Sequence, residues 1–429
     1  MNYRNIYDIA ANLSESLFPY YVNSLREEAF NKIKNSGFPN LKQEKYKYSP
    51  LADIFEGEYV PVNPYEWKRY PESDFSEIEA IKIYTVNGVC VNNEIKSESG
   101  FIYGSLVLAS REYEEIVEKY YNRLVDNTDL PSAMNIATAL SGAFVNVNPG
   151  VETTRPLMII NIIDSEARIF SQQHNLFVFG ENSVAEVIEY NIDISNVPTL
   201  ANNLSETVIE RNAQVNIVRV QDKGLLSRHI SSDYSRQYEG SSFDCSNIVL
   251  GGGLVRQNTE VHLLEKHCCS NLYGLVVAGD KQHVDNYTFI DHAVPECQSN
   301  ELYKSILNDK AVNVFNGRIL VRPDAQKTLA FQSNRNILLN TGAKVYTKPQ
   351  LEIYADDVKC SHGATVGQLN EDALFYMQSR GISKPAAQML LMSGFANEIL
   401  EKIKNPEFYD FILSIAQTRN SAVCGDFMR

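Results

Sequence analysis

Between residues 143 and 358 the chain is a succession of short apolar runs, FVNV, LMIINII, ARIF, LFVFG, VNIVRV, IVLGGG, LYGLVVAG and LLNTG, separated by Asn, Asp, Gly and Ser. None of it sustains the 3.6-residue period of an amphipathic helix, so the stretch predicts many short strands and few helices. A β region of this extent admits a sandwich pair, a barrel or a solenoid. Apolar strands, loops of varying length and polar corners lean towards the solenoid. So does a small residue leading into a valine-containing run at Ala213, Ala311, Ala343 and Ala364. The spacing of these segments is uneven, and on pattern alone the three architectures stay open.

Helical patterns flank this region. Residues 1–36 read as helical: after Pro19, Val22, Leu25, Ala29 and Ile33 recur at steps of three or four, Arg26, Glu27, Lys32 and Lys34 lie off that stripe, and Gly37 is a stop. This is the pattern of a packing helix, not of a membrane anchor. Residues 38–71, rich in proline and aromatics, read as irregular. Asn87-Gly88 inside IKIYTVNGVCV supplies a left-handed hairpin turn, and helices are expected at about 112–124 and 132–140, the second beginning near Pro131.

Beyond Leu369 helices follow one another. Asn370 caps one that carries Glu371 and Asp372 in its first turn and stops at Gly381. Ser383 with Pro385 starts the next, and Asn405-Pro406 opens the last, with Phe408, Phe411, Ile412 and Ile415 along it. The expected organisation is an N-terminal helical and mixed α/β region over 1–142, a β core over 143–368 and a helical part over 369–429. So small a helical part must pack on the β body, on a partner, or on both.

The balance of 39 Lys+Arg against 53 Asp+Glu, a net charge of -14, is the wrong sign for a phosphate-neutralising surface, which argues against nucleic acid and anionic membrane as partners. Seven cysteines without a disulfide-framework spacing, no visible secretory or transit signal and no run of eighteen apolar residues fit a reducing cytoplasm.

Several motifs invite chemistry and do not sustain it. A G-x-x-x-x-G-K-[ST] phosphate loop is missing. Gly251-Gly252-Gly253 runs into LVRQNTEVHL, which is strand-like, so it reads as a tight corner and not as a dinucleotide site. His262, His267, Cys268 and Cys269 are crowded, but alternate residues of a strand diverge and no C-x-x-C pair exists, which disfavours zinc. Asp291, His292 and Cys297 in IDHAVPEC lack a nucleophile elbow, and adjacent Asp356 and Asp357 read as a turn. Cys360 and His362 differ. In an extended segment they project from one face, and thiolate and imidazole are both iron ligands. Two donors are fewer than the four a cluster takes, which points to a shared site.

The run DDVKCSHGATVG followed by FYMQSRGI and GF, the block AVNVFNGRILVRPDAQKTLAFQSNRNILL over 311–339 and the element YKYSPL over 46–51 resemble the SufB/SufD family of iron–sulfur cluster assembly proteins over most of the chain. That resemblance implies a right-handed parallel β-helix core. It implies a non-catalytic scaffold subunit that pairs with a paralogue through the β-helices and docks a SufC-like ABC ATPase through its C-terminal helices, the partner hydrolysing ATP. His362 falls at the family's junction histidine, and Cys360 at the preceding motif cysteine, whose role is less settled. Gly363 after His362 matches the D branch, where the B branch has glutamate. The implied cargo is a nascent iron–sulfur cluster or iron at a shared subunit junction, with reduced flavin as a further component of the assembled complex. Which of iron, sulfide or reductant this subunit handles stays open, as does a homodimer when the SufB-like paralogue is missing. The competing functions are a β-helix enzyme acting on polysaccharide and a generic β-solenoid interaction module.

Overall fold

The computed structural model describes residues 17–36, 44–49, 55, 57–63, 75–92, 94–125 and 129–423. From Ala143 the chain winds back and forth between two sheets of ten strands. Successive strands do not pair with each other. Each pairs in parallel with the equivalent strand one turn on: Val184 with Gln214, Gln214 with Ser242, Ser242 with Cys269, Cys269 with Gln298, Gln298 with Leu329 and Leu329 with Lys359. That connectivity excludes sandwich and barrel and gives the parallel β-helix, with about 8 turns.

The strands are more polar than the apolar runs suggested. Phe170–Phe179 reads FSQQHNLFVF, and all ten residues are buried. In the solenoid, polar side chains answer one another between adjacent turns and across the interior of one turn, as where Asn161 Nδ2 donates to Asn191 Oδ1 at 3.1 Å and Gln173 Nε2 to Asn161 Oδ1 at 2.9 Å. Buried amides are tolerated when such partners exist. Corners use residues that accept left-handed backbone: Asn182, Asn212, Asp280 and Asp309 have φ of 58, 54, 49 and 52°. The triple glycine is the tight corner expected, since a Cβ on Gly251 would lie 2.3 Å from the Lys223 carbonyl oxygen.

Three apolar layers hold the body together. One fills the interior between the sheets, including Ile217, Phe243, Leu272 and Phe315. The outer face of one sheet, through Leu176, Leu200, Leu204 and Ile230, packs against the N-terminal helices Tyr20–Ser36, Leu106–Glu112, Glu114–Tyr120 and Leu130–Thr138. The outer face of the other, through Ile188, Val218, Ile248 and Ile306, packs against Met392, Ile399, Phe408 and Ile412 of the tail.

The N-terminal region is woven into the solenoid. Ile81–Val86 forms the expected hairpin with Val89–Cys90 around Asn87 (φ 52°) and Gly88 (φ 84°), and also pairs in parallel with Leu157–Ile163. Glu206, on a solenoid strand, accepts the backbone N–H groups of Asn122, Arg123 and Leu124 at 2.5, 3.0 and 2.9 Å, fixing the turn after Glu114–Tyr120. The helix expected at 112–124 is in fact this pair, beginning at Leu106 and interrupted at Tyr113. The other starts at Leu130 after Asp129. In Tyr20–Ser36, Val22, Ala29 and Ile33 are buried as the stripe requires. Arg26, placed off the stripe by periodicity, is buried too, because its guanidinium donates to the Ala139 carbonyl. Residues 1–16, Gly37 and most of 38–71 lie outside the described residues.

The YKYSPL element is described through Ser49. Tyr46 lies beneath the Arg256 guanidinium, 4.8 Å from ring centre to carbon, and donates to Asp129 Oδ1 at 2.5 Å, while Ser49 donates to Asp285, the ion-pair partner of Arg256.

Helix boundaries in the tail follow the sequence signals. Asn370 Oδ1 accepts the Ala373 N–H at 2.9 Å, Gly381 (φ 85°) closes Glu371–Ser379, Ser383 precedes Lys384–Leu400, and Asn405 Oδ1 accepts the Phe408 N–H at 2.8 Å ahead of Pro406–Val423. The last two helices cover the sheet. Glu371–Ser379 has no buried residue, and Phe375 and Tyr376 are 75% and 60% exposed.

Candidate functional site

Strands Lys344–Ile353 and Lys359–Gly367 are the last in their respective sheets, and among the described residues no further turn covers them. The solenoid therefore ends open. In Lys359–Gly367, Cys360, His362 and Ala364 sit in register over Ala330, Gln332 and Asn334, all three buried and facing the interior. Cys360 and His362 thus share the interior-facing parity of the final strand, as their two-residue spacing predicts. The end being open, His362 is exposed and Cys360 is half-buried against the interior apolar layer. Burial pushes the Cys360 thiol above its usual value, with a backbone hydrogen bond at Ala330 working the other way. Gly363 lies inside the strand opposite Ser333. The ladder continues through it because backbone pairing needs no side chain.

An apolar rim surrounds this end. Phe331, Tyr346, Ile353, Tyr354 and Val366 are all exposed, alongside two long strand edges that pair with no further strand among the described residues. Such an edge is a template for pairing with another chain.

Beneath His362 the register runs through Gln332 to Glu301 and then Leu272. Glu301 is buried; its carboxylate accepts from the Gln332 amide, and Thr288 is the other polar contact. Burial lifts the carboxyl to about 7, the Gln332 hydrogen bond and the nearby Thr288 hydroxyl only partly opposing it. Deeper still, Arg219 meets Glu189 at 2.9 Å, Asp233 at 3.2 Å and the Cys245 sulfur at 3.1 Å. Burial disfavours the guanidinium charge, yet the two carboxylates outweigh it and hold Arg219 above its ordinary value, while burial pushes the Cys245 thiol up to about 12. These interior groups come from residues about a turn apart in sequence, so local motifs could not disclose them; only the solenoid register does.

The other sequence candidates are dispersed. His262 Nδ1 lies 3.2 Å from Asp291 Oδ2, which also accepts from Arg322 at 2.6 Å, so Asp291 is an outer-face ion-pair anchor. His292 Nε2 is 2.8 Å from Ser299 Oγ with both groups buried. His267 is exposed, and Cys268 is turned inward. Asp356 and Asp357 form the turn before the final strand. Among the described residues no group of three or more His, Cys, Asp or Glu side chains is placed to hold a metal ion, and no helix is long and apolar enough to cross a membrane.

An open-ended parallel solenoid, covered on one sheet by N-terminal helices and on the other by C-terminal helices, with Cys-x-His on its last strand, defines a parallel β-helix protein with a thiol and an imidazole at its end. Residues 161–395 match the SUF system FeS cluster assembly, SufBD core domain, and residues 1–159 the SufBD protein N-terminal region; the chain belongs to the SufBD family. It is similar to the iron-sulfur cluster assembly protein SufD of Escherichia coli, 27% identical over 385 residues and 88% of each chain. It is also similar to an iron-sulfur cluster assembly SufBD family protein of Synechocystis, 28% identical over 88% of this chain and 86% of that one. A chloroplastic protein of Arabidopsis thaliana, ABCI7, is 26% identical over 94% of this chain and 88% of that one.

Proposed function

We propose that this SufD-like chain is the scaffold half of a SufBCD-type iron–sulfur cluster assembly complex in the cytoplasm. Its open end joins a SufB-like paralogue, its tail docks a SufC-like ABC ATPase, and it contributes to iron entry and to the geometry of the junction without catalysing a reaction itself. The observation that carries the proposal is the exposure of His362, with Cys360 beside it, on the interior parity of a terminal strand rimmed by apolar side chains. A partner strand added to either edge would extend the ladder and bury the rim. It would also bring further ligands to a thiol and an imidazole that fall short of a cluster's four. The iron or nascent cluster is then cargo, and reduced flavin belongs to the assembled complex. The helix Glu371–Ser379, with no buried residue and with Phe375 and Tyr376 exposed, supports ATPase docking there.

The test is a pull-down of the chain from its native cell. Recovery of a SufB-like paralogue and an ABC-type ATPase is expected, and their consistent absence sinks the proposal. The same exposed end accommodates a homodimer when the paralogue is missing.

A further inference from the structure

Register neighbours Ser242, Cys269, Gln298 and Leu329 place the residues before them, Ser241, Cys268, Cys297 and Thr328, at one inner corner on four consecutive turns. The backbone confirms the stack: the N–H groups of Cys269, Gln298 and Leu329 donate to the carbonyls of Ser241, Cys268 and Cys297 at 2.9, 2.9 and 3.1 Å. Two of these four corner side chains are thiols, and they are adjacent. Both reach the same acceptor, the Glu265 carbonyl, at 3.0 Å from Cys268 and 3.3 Å from Cys297, which holds the two sulfurs around one oxygen. Neighbouring parallel strands hold paired Cα atoms about 4.8 Å apart, inside the span a disulfide bridges.

We propose that Cys268 and Cys297 form a redox-active dithiol that closes to a disulfide across two turns of the solenoid when the protein meets hydrogen peroxide. The two sulfurs share one acceptor, so either can open the reaction as its thiolate, and the steps are the same from Cys297 as from Cys268. From Cys297, the thiol releases its proton, the thiolate attacks one peroxide oxygen, the O–O bond breaks, and the departing hydroxide takes up the released proton to leave as water. Cys268 then attacks the sulfenic sulfur of Cys297, the S–O bond breaks, and the second hydroxide leaves with the Cys268 proton as water. Two thiols are oxidised by two electrons, and one peroxide is reduced to two waters. Both cysteines are buried, and the residues just before Cys268, Lys266 and His267, are exposed, so opening of that corner is what admits the oxidant. His267 and Glu296, each just before a cysteine, hold φ of 63 and 64°, a strained backbone that opens at lower cost than a regular ladder.

The experiment treats the full reduced chain with hydrogen peroxide, alkylates remaining thiols after denaturation, and reads tryptic masses. The expected product joins peptide 267–281 to peptide 282–304 with the loss of two hydrogens and is reversed by dithiothreitol. Cys268→Ser and Cys297→Ser abolish it, and both should fold, because serine and threonine already occupy this corner at Ser241 and Thr328. Cys269→Ser, which removes the outward-facing neighbour in the same peptide, leaves it intact. Both thiols remaining alkylatable at a peroxide dose that oxidises exposed cysteine, a bridge lost with Cys269→Ser, or conversion only to sulfinic acid would each overturn the proposal.

Discussion

Glu301 makes the stability of the fold depend on pH in a direction opposite to the ordinary surface carboxylate. Its contacts are neutral, the Gln332 amide and the Thr288 hydroxyl, and burial holds its carboxyl near 7. Against an unfolded glutamate near 4.3, a folded value of about 7 corresponds to about 3–4 kcal/mol between the fully protonated and fully ionised limits. Because the folded value is raised, the native state binds the proton more tightly. The stabilisation is therefore complete below about pH 4.3 and is lost as the pH rises through about 7. Glu301→Gln keeps shape and hydrogen bonding and removes the titration. The wild-type chain should lose about 2 kcal/mol relative to this variant between about pH 5.5 and pH 8.5. Denaturant midpoints read by far-ultraviolet circular dichroism across that range measure the difference, and infrared difference spectra should show a protonated carboxyl that disappears with the substitution. If the wild-type and variant stabilities stay parallel in pH, the lumen is not holding a neutral acid.

Phe375→Asp places a charge at an exposed position of a helix with no buried residue, so melting temperature should stay unchanged while co-purification of the ATPase falls at least tenfold; unchanged co-purification refutes docking through this helix. Truncation from Leu369 is a poorer test, because it strips Met392, Ile399 and Phe408 from the sheet they cover. Arg219→Ala leaves Glu189 and Asp233 buried without their counter-charge and should cost about 3–5 kcal/mol of stability by denaturant unfolding. A change within experimental scatter would mean that the interior is hydrated enough to screen them.

Local signals were legible wherever one residue type has one structural use. Asn87-Gly88 gave its hairpin, Asn370, Ser383 and Asn405 gave helix starts, Gly381 gave a stop, and Gly251-Gly252-Gly253 gave a corner. The parity of Cys360 and His362 was readable for the same reason, since alternation in a strand is strict. What stayed hidden depends on contacts a full turn away. FSQQHNLFVF looks too polar for a buried strand until Asn161, Gln173 and Asn191 are stacked. Arg26 looks solvent-facing until the Ala139 carbonyl meets it. Glu301 and the Cys268–Cys297 corner have no sequence motif at all, because register alone brings their partners in.

The central claim is that His362, at the uncovered end of the solenoid, serves a junction completed by a sister chain. Reconstituting the chain and its His362→Ala variant with the paralogue and the ATPase, then measuring iron–sulfur cluster formed per assembled complex by absorbance and iron analysis, tests it directly. The account predicts assembly of unchanged stoichiometry and stability with cluster formation lost. A variant complex that builds clusters at the wild-type yield would contradict it.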